Sequence, residues 1–561
     1  MNIRHTQHCT LSALALIFLA TLSAHAAPAA PDAGQTIREL QTQPELNAPK
    51  TTPPLRLEED VTRRDSAQGD VRIVVSGIRV SGSSTFTAAE LEALVADLIG
   101  GEHTLAELYQ GAARITAYYR ERGYIIARAY LPAQEIQDGV VVIAVVEGRI
   151  GEQQINNQSR LSDARANGYL REIKSGEALR AAPVERALLL LNDTPGVGFT
   201  RATLQPGASV GTSDLVVEID PSAPYFARVA ADNFGNRYTG ENRVDGALAL
   251  NSPLKMGDQF TVRALASDQD QTYARVAYQI PAGNSGLRLG AAYFNTRYRL
   301  GKEFAPLQAH GTATGTSLFA VYPFIRSQGS NLSGTLTLED KKLDDFTDAP
   351  VTAAAQHIRL ASLGLAGNYH DLRGGGGVTS CDLALVAGHL GMDTESQAAD
   401  ELSARRNGGF TRLAYNVTRL QRLTDRDALS VSLSGQWAGK NLTSSEKFFL
   451  GGAYGVRAYP QGEAEGDQGW LTTLELRHRF LPDLQGVVFY DAGSVRINHD
   501  PFLAGENTRT ISGAGVGANA NFLGLQINAY AAWRLHGGQP TSEPSSLDRN
   551  PRLWVQASWA L

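Results

Sequence analysis

Two short motifs carry the side chains in this sequence best suited to a specific interaction. The first is Leu450-Gly451-Gly452 followed by Val456-Arg457-Ala458-Tyr459, and the second is Phe489-Tyr490-Asp491-Ala492-Gly493. A guanidinium on a glycine-rich loop and a carboxylate on a strand make an ion pair. At ~4 Å and an effective dielectric of ~20 the pair attracts by ~4 kcal/mol, less its desolvation cost. That holds a loop without making its position permanent. No catalytic set stands beside it. Gly435 to Lys440 is one residue short of a phosphate loop, and Asn441 follows where Ser or Thr is needed. Gly513, Gly515 and Gly517 fall at every second position, which suits a close-packed strand face, and Gly374 to Gly377 reads as a turn. There is no His-Glu-x-x-His run and no cysteine pair for zinc, and the eleven histidines are scattered. The expectation is a protein that is not an enzyme and has no metal or cofactor.

The elements that must position the two motifs show a period of two. In Leu471 to Phe480, Leu474, Leu476 and Phe480 point one way, and Thr473, Glu475, Arg477 and Arg479 the other. That is a strand with lipid on one side and water on the other. In the next strand Phe489, Asp491 and Gly493 share a face opposite Val488 and Tyr490. An aspartate inside such a wall needs a partner, and the nearest candidate in sequence is Arg457. Leu413, Tyr415 and Val417 likewise oppose Arg412, Asn416 and Thr418, and Leu429 to Trp437 alternates with serines. Arg419 falls on the apolar face, so lipid contact there should stop near Val417. From Tyr225 onward short connections, such as Asn251-Ser252-Pro253 and Leu481 to Leu484, alternate with long ones, such as Arg297 to Gly315 and Lys440 to Gln468. Short turns at one end and long loops at the other describe an outer-membrane barrel, here of about 16 antiparallel strands. Closure removes edge groups from lipid, and a barrel of that size encloses an aqueous lumen.

The rest of the 561-residue chain divides into a leader and two small domains ahead of the barrel. Residues 1–26 read as a secretory signal: Arg4, an apolar run from Leu11 to Leu22, then Ala24-His25-Ala26. Cys9 precedes that run, and cleavage would leave Cys381 alone, with no intramolecular disulfide. No later run approaches ~18 apolar residues, which excludes a helical span. A net charge of −6 argues against a nucleic-acid partner. Residues 27–70 read as a leader in which Thr36 to Gln43 forms a short helix with Ile37 and Leu40 on one side, followed by a proline-stiffened linker. Residues 71–148 give β-α-α-β-β: a strand at Val71 to Val80, capping boxes at Thr87 and Thr104, a strand at Ile125 to Leu131, and an Asp138-Gly139 turn before Val140 to Val146. Residues 149–222 repeat the plan more weakly, and residues 223–561 hold the barrel.

Leu-Gly-Gly, then Val-Arg-x-Tyr, then Phe-x-Asp-x-Gly one strand later, resembles the two-partner secretion transporters. These belong to the superfamily of outer-membrane barrels with periplasmic polypeptide-transport-associated (POTRA) domains. The β-α-α-β-β order is the POTRA order, and Tyr124, Arg128, Tyr130, Leu131 and Gln134 sit in runs that resemble the family's first POTRA domain. The resemblance implies two α+β POTRA domains in the periplasm below the barrel. It also implies that Arg457, on the sixth loop, reaches Asp491 on strand thirteen, with Val456, Tyr459, Phe489 and Gly493 as motif neighbours. The pair is then either a latch for transport or a lock for barrel stability. Val-Arg-Ala-Tyr replaces the family's usual Val-Arg-Gly-Tyr. The implied role of residues 27–70 is a plug helix. The implied partners are a large secreted exoprotein with an N-terminal secretion domain, outer-membrane lipid, and the barrel-assembly machinery for insertion. Client recognition would fall to Tyr124, Arg128, Tyr130 and Leu131, by β-augmentation. Two rivals share parts of this pattern: a barrel-assembly factor, which usually has more POTRA domains, and a passive porin, which needs neither POTRA pair nor latch.

Overall fold

The computed structural model describes residues 30–41, 55–57, 72–209 and 211–561. The expected signal peptide and most of the linker lie outside these. Sixteen antiparallel strands close into a barrel. They are β1 (Tyr225–Asp232), β2 (Arg243–Asn251), β3 (Gln259–Ser267), β4 (Thr272–Pro281), β5 (Arg288–Arg299), β6 (His310–Arg326), β7 (Ser330–Asp348), β8 (Val351–Asp371), β9 (Gly377–Met392), β10 (Gly408–Arg422), β11 (Asp427–Ala438), β12 (Gln468–Leu481), β13 (Leu484–Arg496), β14 (Thr508–Phe522), β15 (Leu525–His536) and β16 (Arg552–Ala560). Each strand pairs with its sequence neighbour, and β1 pairs with β16 from Arg228↔Ala560 to Asp232↔Gln556. The backbone of Leu561 continues that seam by exchanging both hydrogen bonds with Ala227.

The alternation read from sequence becomes an outer apolar face. Leu433, Trp437, Leu474, Leu476, Val488 and Trp559 are exposed, while Phe489 and Asp491 are buried inward. Arg419 does sit on the outer face, and it forms a two-pronged pair with Asp371 on β8, bonding Thr379 between them. A guanidinium tolerated there, near the periplasmic turn, marks where the lipid-facing band ends.

The lumen holds a helix. α1 (Ala33–Gln41) is capped by Asp32, whose carboxylate accepts from the Gln35 N–H at 2.7 Å. Ala33, Ile37 and Leu40, at i, i+4 and i+7, are fully or almost fully buried. They pack on Leu265, Tyr273, Phe294 and Leu360, inward residues of β3, β4, β5 and β8. Asp345 on β7 accepts from the Ala33 N–H at 2.8 Å, and Ser444 donates to Asp32 at 2.7 Å. The helix thus begins three residues before the expected start and lies against one side of the wall.

The first N-terminal unit has α2 (Ala88–Ala93) and α3 (Leu105–Glu121) over a sheet ordered Gly77–Ser81, Val140–Val146, Arg128–Tyr130. The expected first strand is broken at Ser76 into Arg72–Val75 and Gly77–Ser81. The Thr104–Glu107 capping box forms completely, whereas at Thr87 only the side chain's bond from the Glu90 N–H is present. The Asp138-Gly139 turn forms with positive φ at both residues, but the run expected from Ile125 to Leu131 is a strand only over Arg128–Tyr130. Further along, the Gln134 amide takes the place of a strand by bonding both backbone groups of Val142. Glu147 closes this unit. Its carboxylate accepts from the N–H groups of Ser84 and Thr85 at 2.8 and 2.7 Å and from the Tyr119 hydroxyl at 3.0 Å. Burial alone would raise the Glu147 pKa, but the bonds from Ser84 and Thr85 outweigh it and hold it at about 2.

The second unit places α4 (Asp163–Tyr169) and α5 (Ala181–Asn192) on a sheet ordered Leu55–Leu57, Val197–Pro206, Thr212–Pro221, Arg149–Asn157. Leu55–Leu57 from the linker joins in parallel, with Leu55 opposite Ala202. This unit docks under half of the barrel mouth. Arg326 grips Asp193 at 2.6 and 2.8 Å, Arg186 donates to the Pro323 carbonyl at 2.8 Å, and the Ser162 N–H donates to the Lys255 carbonyl at 3.0 Å.

Two outcomes follow. A folded pKa below the unfolded value of ~4.3 adds stability above that value, which is lost as pH falls towards the folded one. Protease resistance of the first unit should therefore drop between about pH 4.5 and about pH 2. Glu147→Gln should be less resistant at pH 7 and flat through that window. Deleting residues 30–41 should raise single-channel conductance in planar bilayers several-fold; unchanged conductance would show that α1 does not occlude the pore.

Candidate functional site

The connection between β11 and β12, residues 439–467, turns back into the lumen. The glycines of Leu450-Gly451-Gly452 allow the reversal. Gly452 has φ +115°, and a Cβ on Gly451 would come within 2.3 Å of the Pro460 carbonyl. The Val456 N–H then bonds the Leu450 carbonyl at 2.6 Å, which presents the next residue at the tip.

That residue is Arg457, and it meets Asp491 on β13. Its backbone N–H, Nε and Nη2 all donate to the Asp491 carboxylate, at 3.1, 2.8 and 2.8 Å. Nη1 donates to Glu475 on β12 at 2.7 Å. The guanidinium lies 3.4 Å above the centre of the Phe489 ring and 5.3 Å from that of Tyr530. Arg457 is 5% exposed and Asp491 0%, so the pair is dry. Bidentate geometry, a second carboxylate and an aromatic floor are what a buried pair needs to offset its desolvation. Arg477 completes the group by donating to Glu475 at 2.6 and 2.9 Å. Two arginines and two carboxylates leave the cluster neutral.

The motif neighbours have separate tasks. Val456 and Phe489 are buried in the same apolar cluster as Leu450 and Ile511. The Tyr459 hydroxyl lies 2.8 Å from the His536 carbonyl and 3.0 Å from that of Gly538, so it tethers the tip to the end of β15. Gly493 makes room, since a Cβ there would fall 2.5 Å from Leu450. The alanine in place of the usual glycine fits because Gly513 faces it: a Cβ on Gly513 would lie 2.4 Å from that of Ala458.

Sequence reasoning missed several contributors. Glu475 was placed inward but not joined to Arg457. The Trp554 indole donates to the Arg457 carbonyl at 2.7 Å. Three further loop carboxylates are fully buried. Glu446 bonds Lys341 on β7 and Arg412 on β10 at 2.5 and 2.9 Å. Glu463 accepts from Thr541, Ser542 and Arg509, and Asp467 from the N–H groups of Leu442 and His499. The signal was available: Glu446, Glu463, Glu465 and Asp467 fall in one segment that the barrel would have to enclose.

The four expected client-reading residues are not brought together as one surface. Arg128 and Tyr130 are exposed on an edge strand, whereas Tyr124 packs on Phe86 and Tyr119 and Leu131 packs on the domain core. Among the described residues no group of three or more His, Cys, Asp or Glu is placed to hold a metal ion.

Residues 211–520 match the model of the haemolysin secretion/activation protein ShlB/FhaC/HecB family, and residues 73–148 match the ShlB-type POTRA domain. The chain is 29% identical over 414 residues to the heme/hemopexin transporter protein HuxB of Haemophilus influenzae, covering 72% of each chain. It is 25% identical over 476 residues to the outer membrane transporter CdiB of Dickeya dadantii, covering 81% of this chain and 83% of the relative. Among solved structures, CdiB from Escherichia coli superposes with a TM-score of 0.70 at 21% identity, over 94% of this chain and 96% of the other.

Arg457→Lys should undock the loop in part, because one ammonium cannot serve Asp491 and Glu475 and also lie flat on Phe489. Breaking a buried pair costs about 3–5 kcal/mol, so Asp491→Ala should expose residues 439–467 to external protease at least tenfold faster. Exchanging the two charges should not restore protection, since it sets an arginine beside Arg477 and a carboxylate on the aromatic floor. Full protection in the exchanged variant would refute this geometry.

Proposed function

The chain belongs to the haemolysin secretion/activation protein ShlB/FhaC/HecB family and is an outer-membrane transporter of two-partner secretion, and we propose that Arg457 and Asp491 form the latch that gates its pore. The barrel lies in the outer membrane and the POTRA domains in the periplasm. The client is a large exoprotein that arrives unfolded, engages the POTRA domains through its amino-terminal segment, and folds outside. The observation that carries this reading is the filling of the lumen. Two segments, α1 and the tip of the β11–β12 loop, occupy it through polar contacts and packing that can be broken and remade. A barrel whose only task is to be stable gains little from fillings of that kind.

Arg128 and Tyr130 support POTRA recognition, because both are exposed on the edge strand of their sheet. An extended client segment adding there would use main-chain bonds for affinity and these side chains for register. Tyr124 and Leu131 act by holding that edge in place. No nucleotide-binding motif occurs in the sequence, and folding of the client at the exterior supplies the pull.

Co-expression with the product of the neighbouring gene, followed by assay of the medium, tests this. The client should appear outside with the intact transporter. Arg128→Glu with Tyr130→Ala should reduce export about tenfold at an unchanged amount of barrel. Normal export by that double variant would remove the edge from the recognition site.

A further inference from the structure

On the outer face of β6 to β9 the apolar surface ends in one step. Strand registers set Thr316, Asp340, Arg359 and His389 directly opposite one another across these four strands. In the row just below, nearer the periplasm, stand Leu318, Leu338, Ala361 and Ala387, all exposed. Both rows share the parity of the exposed Leu336, Leu363 and Leu385, so they face outward. On β8 the outward residues from Tyr369 to Ala361 carry no charge; Asp371 bounds them at the periplasmic end and Arg359 at the other. A barrel strand crosses the hydrocarbon in ~9–11 residues, so Arg359 stands at the headgroup level of the outer leaflet. Basic groups gather there. His389 is opposite Arg359, and one row further out Lys342 is opposite His357. Arg359 gives Nε to Asp340 at 3.2 Å, and its side chain is 73% exposed, so the guanidinium is held at one edge and otherwise open to its surroundings. The Asp340 carboxylate also lies 2.9 Å from Nε2 of His357. Asp344, further out on β7, shares its row with Arg297 on β5, with Thr312 between them. Beneath Arg359 and His389 the small side chains of Ala361 and Ala387, beside Leu318 and Leu338, leave a cleft of about 610 Å³.

We propose that the outer face of β7 to β9 binds a phosphorylated glycolipid of the outer leaflet, its phosphate on Arg359, His389 and Lys342 and an acyl chain in the cleft over Ala361 and Ala387. The guanidinium is the group best shaped to take two phosphate oxygens at once, and an ammonium adds a point charge beside it. Residues directly opposite on paired strands lie ~5 Å apart and diagonal ones ~7–8 Å. Arg359 faces His389 directly and Lys342 diagonally, so long side chains from all three reach one phosphate. Asp340 does not take their place as the counter-charge: it engages Arg359 only at Nε and shares itself with His357. Cations at the edge of the hydrocarbon are favoured where the lipid beside them is anionic. The cleft below them is apolar and opens towards the membrane, which a free phosphate ion would not use and a lipid would. Headgroup and chain are thus matched by two adjacent rows of one sheet.

The test uses the full-length transporter purified from outer membranes in mild detergent, with the bisphosphorylated glucosamine lipid that accompanies it counted per barrel by mass spectrometry. The unsubstituted protein should retain about one molecule. Arg359→Ala with Lys342→Ala should retain about fivefold less. Ala387→Trp, which fills the cleft and keeps every charge, should retain about threefold less. Arg496→Ala is the control: it removes an exposed, outward arginine at the corresponding end of β13 and should change nothing. Normal retention by the double variant or by Ala387→Trp overturns the proposal. So does an equal loss with Arg496→Ala, which would make the attraction a property of the whole rim. Excess inorganic phosphate should leave the lipid bound; its displacement would reduce the site to one for anions and overturn the proposal too. Barrel assembly is checked by heat-modifiable migration in electrophoresis, and if the double variant does not assemble, Arg359→Gln alone decides by the same criterion. Client export is not the readout, so the result is independent of the latch.

Discussion

A guanidinium held dry inside a pore is the interaction on which the arrangement depends. Arg457 leaves water only because Asp491 and Glu475 meet four of its donors and Phe489 covers one of its faces. Removing it would leave Arg477 facing two carboxylates in the wall, an excess negative charge where water is scarce. The vacated site therefore favours return of the arginine. Docking is favoured because both separated states are costly.

The arginine alone does not fix the loop. Glu446 ties its descending limb to β7 and β10, Glu463 ties the returning limb to residues 541 and 542, and Asp467 ties its base to His499. Each carboxylate accepts from groups on another element, so the loop gathers the outer connections around itself. The tip is a pin, and the carboxylates are the seat into which the pin fits. The plug shares that seat. Ser444, next to Glu446, bonds the capping residue of α1, and Asn236 bridges Glu39 and the Gln461 carbonyl. Loss of α1 would thus remove partners from the loop while leaving the contacts of Arg457 in place.

The features legible in the sequence were local ones. A period of two in strands, glycine at a reversal, and the parity that sends Asp491 inward need only neighbouring residues, and they fix the barrel and the two halves of the latch. What escaped depends on register. Glu475 reaches Arg457 because Thr473 stands opposite Asp491 on the paired strand, a relation no single strand reveals. The glycines at 513, 515 and 517 read as a close-packed face, and registers show against what: Ala458, the Phe489 ring and the Tyr530 ring. The Asp138-Gly139 turn was visible, yet the strand expected before it is confined to Arg128–Tyr130, and beyond it the Gln134 side chain bonds Val142, since an amide supplies the same donor and acceptor as a peptide group. The plug helix was legible as an amphipathic turn, but nothing in its own residues names the wall it covers.

That wall is chosen by complementarity between one helix face and one sector of the barrel. Ala33, Ile37 and Leu40 form a narrow apolar stripe, and the inward Leu265, Tyr273, Phe294 and Leu360 offer an apolar surface to match it. Against a wholly polar surface the same stripe would bury side chains that need hydrogen bonds it cannot give. The mismatch keeps the plug to one side. The polar groups of the helix are met separately, Asp32 by Ser444 and Glu39 by Asn236, so the closure is held by packing along one face and by hydrogen bonds toward both ends.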